Sequence, residues 1–357
     1  MNPSSNDAPL LSAPVPMRLV GPVQLAGPEV EGSFQIPLAT YESPLWPSVE
    51  RGAHLTARAG GIRAVVTSEC MTRSVLIDAP DAVRALELIR FLETSRPALE
   101  SAAAATSRFA RLQDVHCEPL GHLVFVRFSF HTGDAAGHNM ATRAADALLA
   151  WILAQRPECR YGSISGNLCC DKKPSAVNGL LGRGKSVVAE ARIPARLVTR
   201  YLHTTPARLV ELTWQKNWVG TALAGGLRSA NAHFANMLLA FYLATGQDAA
   251  NIVEGSQGFT LAEEKEDGDL LFSCTLPNLI VGTVGNGKNL PFVEDNLRAL
   301  GCMESRPAGA NARRLAILCA ATVLCGELSL LAAQTNPGEL MAAHLRLERP
   351  SAPRAEK

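Results

Sequence analysis

No apolar run in this 357-residue sequence reaches the roughly 20 residues a membrane-spanning helix needs; the longest, Leu315–Gly326, is about half that and ends at Glu327. No span is expected. The first residues are rich in Pro, Ser and Asn and lack the basic start and apolar stretch of a secretory signal. Residues 1–16 are therefore read as a flexible arm and the chain as cytoplasmic. Its nine cysteines include no CxxC pair, and the adjacent Cys169 and Cys170 are poorly placed for a disulfide or a zinc knuckle. Reduced thiols and no metal are the expectation. A net charge of +1 leaves no footprint for nucleic acid or an anionic membrane, so a small molecule or another subunit is the expected partner.

What is present is enough apolar material for a large core: hydrophobic residues make up 47% of the chain and charged ones 19%. The length favours two domains, or one large domain carrying an insertion. Between Ser74 and Ser163 the periodicity reads as strand (Ser74–Ile77), helical region (Pro80 to about Thr106), strands at Leu112–Glu118 and His122–Phe130, helix (about Ala135 to Gln155) and strand (Arg160–Ile164). That order is the signature of a ferredoxin-like unit. The fold class is thus α+β, with residues 74–163 inserted between 17–73 and 164–348 of a larger, helix-rich mixed domain. Apolar spacing in the larger part predicts helices over Ser229–Thr245 and Ala312–Ala333, with strands at Ser186–Ala191, Leu270–Cys274 and Asn278–Gly282. Residues 349–357 read as a fraying tail.

The segment Gly179-Leu-Leu-Gly-Arg-Gly-Lys185-Ser186 matches the P-loop expression GxxxxGK[ST]. A P-loop must follow a buried strand and open a helix, so that backbone N–H groups converge on phosphate. Here the upstream residues are polar and broken by Pro174, and Val187–Ala191 reads as a strand. The context argues against nucleotide binding, which is kept only as an alternative from another class. A second near-match, Gly282-Thr-Val-Gly285-Asn-Gly287-Lys288-Asn289, follows an apolar strand and suits a glycine loop approaching a ligand.

Three further segments carry candidate chemistry. Gly133-Asp134-Ala135-Ala-Gly137-His-Asn139 opens a long helix, with Asp134 near an N-cap position; capping alone leaves Gly137 and Asn139 unexplained, since an early helical Gly costs about 1 kcal/mol relative to Ala. Asp171-Lys172-Lys173 follows the polar turn Ser165-Gly-Asn167. Gly246-Gln-Asp248 follows an apolar helix that contains His233 and Asn236, and by itself reads equally as a pair of caps beside a core histidine. Glu42 stands among apolar and small residues, where a lone carboxylate requires a partner.

In this order, with Pro37–Glu42, Met71-Thr-Arg73, Ser107–Gln113, Gly182–Val188, Lys216-Asn217, Asn231-Ala-His233 and Gly326–Leu330, the sequence resembles hydroxymethylglutaryl-CoA reductases from about Val20 to Leu347. The likeness is to the eukaryotic and archaeal class. It implies a ferredoxin-like small domain that binds NADPH without a Rossmann fingerprint, in keeping with the absence of GxGxxG. It also implies a homodimer or homotetramer with active sites between subunits, and four-electron reduction of the acyl thioester to mevalonate and coenzyme A.

By that resemblance, Lys172 stabilises the developing oxyanion, Glu42 donates a proton, and His344 protonates the departing thiolate, a role suited to a group with an unperturbed pKa of about 6.5. An acid that donates near neutral pH needs burial or a neighbouring carboxylate; the resemblance offers Asp248. Arg73, Ser165, Asn167, Lys173, Lys216 and Asn236 would hold the substrate's acid and hydroxyl end, and Ser48 and Arg51 coenzyme A. Ser107, Arg108, Phe109, Asp134, Ala135, Gly137, Asn139, Gly285 and Gly287 would lie along NADPH. Around the catalytic acid the sequence departs from the family, with Ser43, Pro44 and Trp46 in place of glycine and small residues. A homologue reducing a different acyl thioester, on coenzyme A or a carrier protein, is the alternative within the same chemistry.

Overall fold

The computed structural model describes residues 12–348. The chain starts with a hairpin, β1 (Met17–Ala26) and β2 (Glu31–Ala39), and enters α1 (Leu45–Arg58). Strand β3 (Arg63–Asp78) leads through α2 (Ala82–Thr94) and α3 (Arg96–Ala104) to β4 (Arg111–Leu120), β5 (Leu123–His131), α4 (His138–Gln155) and β6 (Arg160–Ser163). There follow α5 (Ala176–Leu181), β7 (Gly184–Ile193), α6 (Ala195–Leu202), α7 (Pro206–Leu212), a π-helical turn at Thr213–Gly220 and the short α8 (Thr221–Leu223). The last part comprises α9 (Phe234–Ala244), α10 (Ile252–Gly255), β8 (Phe259–Glu264), β9 (Leu270–Leu279), α11 (Pro291–Ala299), α12 (Ala310–Thr335) and α13 (Glu339–Glu348).

β3 joins two cores. Its first half, Arg63–Cys70, pairs antiparallel with β7, and its second half, Met71–Asp78, pairs antiparallel with β5 and, near its end, with β6. The sheet runs β4-β5-β3-β7-β9-β8. One buried cluster is built almost wholly from residues between Met71 and Cys159, with Ile280 added; the other gathers the remaining strands around α1, α9 and α12. Helix α12 is apolar on every side, as a helix buried all round must be. Its most apolar stretch is 94% buried within the protein, so its length reflects a core position. α1 crosses it so closely that a Cβ on Gly52 would lie 2.1 Å from the Cys325 carbonyl oxygen.

Several boundaries differ from the sequence reading. The helical region after Pro80 is two helices, because Asp81 caps the first through the Arg84 N–H and Pro97 starts the second. α4 begins at His138, three residues later than read, because Gly137 takes the left-handed N-cap place at φ +96°. The helix expected from Ser229 starts only at Phe234, since residues 229–233 form a turn tied to distant side chains. The two strands expected around Pro277 are one, β9.

Candidate active site

The loop from Ser165 to Ser175 is held in an unusual backbone. Five non-glycine residues among those described have left-handed φ, and three lie here: Asn167 at +59°, Cys170 at +43° and Lys172 at +55°. Such conformations cost of order 1 kcal/mol or more each and persist where the surroundings enforce them. The enforcement is visible. Buried Arg183 donates to the Thr72 carbonyl at 2.7 Å and to Asp171 Oδ1 at 2.6 Å. Glu254, fully buried on α10, accepts the Lys172 backbone N–H at 3.1 Å and lies 3.6 Å from Arg183 Nε. Gln257 clasps Ser175 through both its N–H and its carbonyl.

This frame presents the Lys172 ammonium to Asp248, Nζ to Oδ2, at 2.7 Å. The hydrogen bond to Asp248, against some desolvation, raises Lys172 above its ordinary value. For Asp248 burial pushes upward, but the bonds from Lys172 and the Ala250 N–H outweigh it and leave the carboxyl low. The pair is therefore an ammonium and a carboxylate. His138, at the start of α4, lies 3.9 Å from Asp171, and burial with help from Arg183 lowers its pKa. Lys173 is exposed and reaches only the Asp171 carbonyl, whereas Arg73 makes two bonds to Thr142 on α4. The Ser165 N–H donates to Ser163 Oγ, and the Asn167 carbonyl accepts from Cys170.

Glu42 is elsewhere. It lines a cavity of about 570 Å³ between α1, α12 and α13, together with Ser48, Arg51, His233, Asn236 and Ser329. Its coupling to Asp248 is a sequence expectation that no contact among the described residues makes within one chain: Asp248 is paired with Lys172 instead. The unusual residues beside Glu42 are absorbed locally, since Trp46 is buried and donates to the Leu38 carbonyl at 2.9 Å while Pro44 starts α1. Ser48 donates to Ser329 Oγ, and Arg51 binds Ser329 and Glu339 at once, fastening α13 to the cavity wall. His344 belongs to α13, and its side chain lies outside the described residues. Lys216, in the π-helical turn, contacts the side chain of Asn217, which donates to Glu327.

The two glycine motifs meet. Ala135 forms a parallel bridge with Val284, the Thr283 N–H donates to the Asp134 carbonyl, and a Cβ on Gly282 would lie 2.3 Å from the Ala136 nitrogen. Gly137 is pressed equally hard on Thr132. Asp134 does not cap α4: its two oxygens accept the Gly309 and Ala312 N–H groups at 3.0 Å each, so it caps α12 from 175 residues away, where the helix dipole favours a carboxylate. Phe109 packs near Gly133 with the Arg108 guanidinium 4.7 Å from its ring, and Ser107 Oγ accepts the Phe109 N–H. Gly285 and Gly287 both take left-handed φ in the facing loop. The convergence leaves bare backbone and one exposed aromatic, Phe109, on this side of the small core.

Lys288 closes that loop by donating to the Gly246 carbonyl, and burial brings its ammonium down to about 8. A lysine depressed in the folded chain stabilises it above the unfolded value of 10.5, and that stability is lost as pH falls through about 8. Lys288→Met should abolish this term. In urea unfolding between about pH 7 and 10.5, the unaltered chain should gain up to about 3 kcal/mol over the variant. A constant difference across the range would rule Lys288 out.

The P-loop pattern fails on structure. Gly184-Lys185-Ser186 opens β7, no helix follows it, and Lys185 is buried between Glu69 and the Val281 carbonyl. Sequence reasoning assigned no role to Arg183, Glu254, Glu327 and Ser329, whose partners are distant along the chain. His233, which the sequence reads equally as a core histidine, lines the cavity.

Comparison with known proteins agrees along the chain. The Hydroxymethylglutaryl-coenzyme A reductase family profile matches residues 10–349. The chain is 44% identical over 321 residues to the 3-hydroxy-3-methylglutaryl-coenzyme A reductase of Pyrococcus horikoshii, covering 89% of this chain and 78% of that protein. It is 43% identical over 343 residues to that of Aeropyrum pernix, covering 96% and 81%. With reductase 1 of Oryza sativa subsp. indica the identity is 43%, over 94% of this chain and 62% of the plant protein. In fold it is similar to the class II reductase of Streptococcus pneumoniae solved with NADPH, at a TM-score of 0.73 and 20% identity, over 93% of this chain and 88% of that one. The chain belongs to the hydroxymethylglutaryl-coenzyme A reductase family.

Proposed function

We propose that this chain is the oxidoreductase that converts 3-hydroxy-3-methylglutaryl-CoA to mevalonate and free coenzyme A. The observation that carries the reading is the Lys172–Asp248 pair, held on a braced, left-handed loop; resemblance to the family assigns its lysine to Lys172. NADPH supplies the two hydrides. Lys172 holds the negative charge that forms on the substrate oxygen, and Asp248 keeps its ammonium charged and aimed. Glu42 donates the proton that completes the alcohol, and His344 on α13 delivers one to the departing thiolate. Arg73, Ser165, Asn167, Lys173, Lys216 and Asn236 bind the acid and hydroxyl end of the substrate; Ser48 and Arg51 face its coenzyme A portion.

Residues 74–163 form a ferredoxin-like insertion, a reading supported by the strand order β4-β5-β3 with β6 on the other edge of β3 and helices between them. Ser107–Phe109, Ala135, Gly137 and Asn139 would hold NADPH together with Gly285 and Gly287, and Asp134 anchors that loop to α12. Lys172 and Asp248 are half-exposed, and Glu42 opens onto a different cavity. That separation favours a homodimer or larger assembly in which one copy's Lys172 meets its partner's Glu42 cavity. The working compartment is the cytoplasm.

The test is oxidation of NADPH by purified protein, dependent on hydroxymethylglutaryl-CoA and yielding mevalonate; a folded preparation that binds NADPH without turnover overturns the reading. Turnover only with another acyl thioester would select the alternative substrate. Mixing inactive Lys172→Ala and Glu42→Gln chains should restore part of the activity if the site is shared, about one quarter of normal per mixed dimer population under random exchange with one intact site per hybrid. Absence of recovery, with hybrids shown to form, argues for sites within single subunits.

A further inference from the structure

We infer that Glu327 is a positioning residue for the substrate's acid-binding half of the site, anchoring the His233 turn and the Lys216 segment together on α12. The inference deepens the proposed function, since it rests on Lys216 binding the substrate's free carboxylate. Glu327 is fully buried in the long core helix α12, between Gly326 and Leu328. An unpaired charge there would be strongly destabilising. Its oxygens are instead surrounded by donors from three separate segments. The Ala232 N–H reaches Oε1 at 2.6 Å and the His233 N–H reaches Oε2 at 3.1 Å; Thr260 Oγ1 donates to Oε1 at 2.8 Å, and Asn217 Nδ2 lies 3.4 Å away.

One turn of α12 thus fixes the His233 wall of the cavity and, separately, the Lys216 segment. His233 is held by its backbone and also through Nε2, which donates to the Gly326 carbonyl at 3.0 Å, leaving Nδ1 toward Asn236. Asn236 in turn donates its backbone N–H to the His233 carbonyl. On the other side Lys216 reaches Asn217 Oδ1 at 3.3 Å while the same amide points its nitrogen at Glu327. The π-helical turn packs on α7, α8 and β8. Of the charges on those elements, Arg208 pairs with Glu211 and Glu263 with Lys265 just past β8, while Glu264 at the strand's end is exposed. Burial lowers Lys216, and Glu327 is the charge that opposes the lowering. A neutral residue at 327 therefore lets Lys216 lose its proton, and with it the substrate's carboxylate, at a lower pH.

Glu327→Gln keeps shape and removes charge. The KM for hydroxymethylglutaryl-CoA should rise about twofold near pH 7 and about tenfold near pH 9, with a much smaller fall in kcat. Adding Lys216→Arg should flatten the pH dependence, because a guanidinium does not titrate there. Competitive acetylation of Lys216 across pH, read by peptide mass mapping, should place its midpoint about one unit lower in Glu327→Gln than in the unaltered chain. An unchanged midpoint, or a KM that rises equally at all pH values, overturns the inference. The labelling needs no turnover, so a chain that fails to reduce the thioester condemns the proposed function while still reporting on Glu327. Should Glu327→Gln not fold, Lys216→Arg alone decides: the alkaline rise in KM must disappear, and its survival overturns the inference.

Discussion

Lys172→Ala is expected to cut kcat by about 10²–10³-fold, the loss seen when one preorganised donor to a developing oxyanion is removed. In this chain the lysine is a fixed charge. Its Nζ is 2.7 Å from Asp248, its backbone N–H is bound by Glu254, and its φ of +55° is imposed by neighbours. The hydrogen bond to Asp248 raises its pKa, so it stays an ammonium throughout the working range. Alanine at φ +55° carries the same backbone cost as lysine, so the loop should keep its shape. Folding, followed by thermal unfolding, and NADPH affinity, followed by fluorescence titration, should therefore change little while turnover collapses. A variant retaining more than about a tenth of normal kcat would place oxyanion stabilisation on another group.

Much of the region between β3 and β6 was legible because its elements are short and locally periodic. β4, β5 and β6 fall within one or two residues of the expected strands, and α4 ends at Gln155 as expected. The misses have long-range causes. Pro277 reads as a strand breaker, yet it lies past the end of the β8 pairing and at a register shift against β7, where no ladder N–H is required of it. Glu327 is no such miss: it ends the apolar run, but the helix expected over Ala312–Ala333 runs through it to Thr335, and donors near residues 217, 232 and 260 neutralise the carboxylate. The hairpin β1–β2 and helix α1 have no counterpart among the elements expected from sequence, although the block Pro37–Glu42 and the candidates Ser48 and Arg51 lie in or beside them. The site shows the same division: Lys172 and Asp248 are singled out by the family resemblance and are paired, while their braces Arg183 and Glu254 receive no role from the sequence because the groups they bind lie far along the chain.

Those braces carry the second large effect. Arg183→Met should cost about 3–5 kcal/mol of stability near pH 8, the usual penalty for removing one partner of a buried ionic cluster. Glu254 would be left fully buried with one oxygen already lacking a hydrogen-bond partner, and Asp171 would lose its 2.6 Å bond. Burial already holds Glu254 above its ordinary 4.5, with Arg183 among the groups opposing the rise. Without the guanidinium the carboxyl rises further. A raised acid stabilises the folded chain below its unfolded value, and that stability disappears as pH climbs through the folded value. The deficit of the variant, measured by urea unfolding, should therefore be small near pH 5 and full near pH 8. Glu254→Gln in the same chain should recover a large part of it, because the amide still accepts the Lys172 N–H without stranding a charge. Equal deficits at both pH values, or no recovery in the double variant, would mean that Arg183 acts through its bonds to Thr72 rather than through charge. Since the same carboxylate holds Lys172, kcat should follow the brace: lowered in Arg183→Met and partly restored with Glu254→Gln.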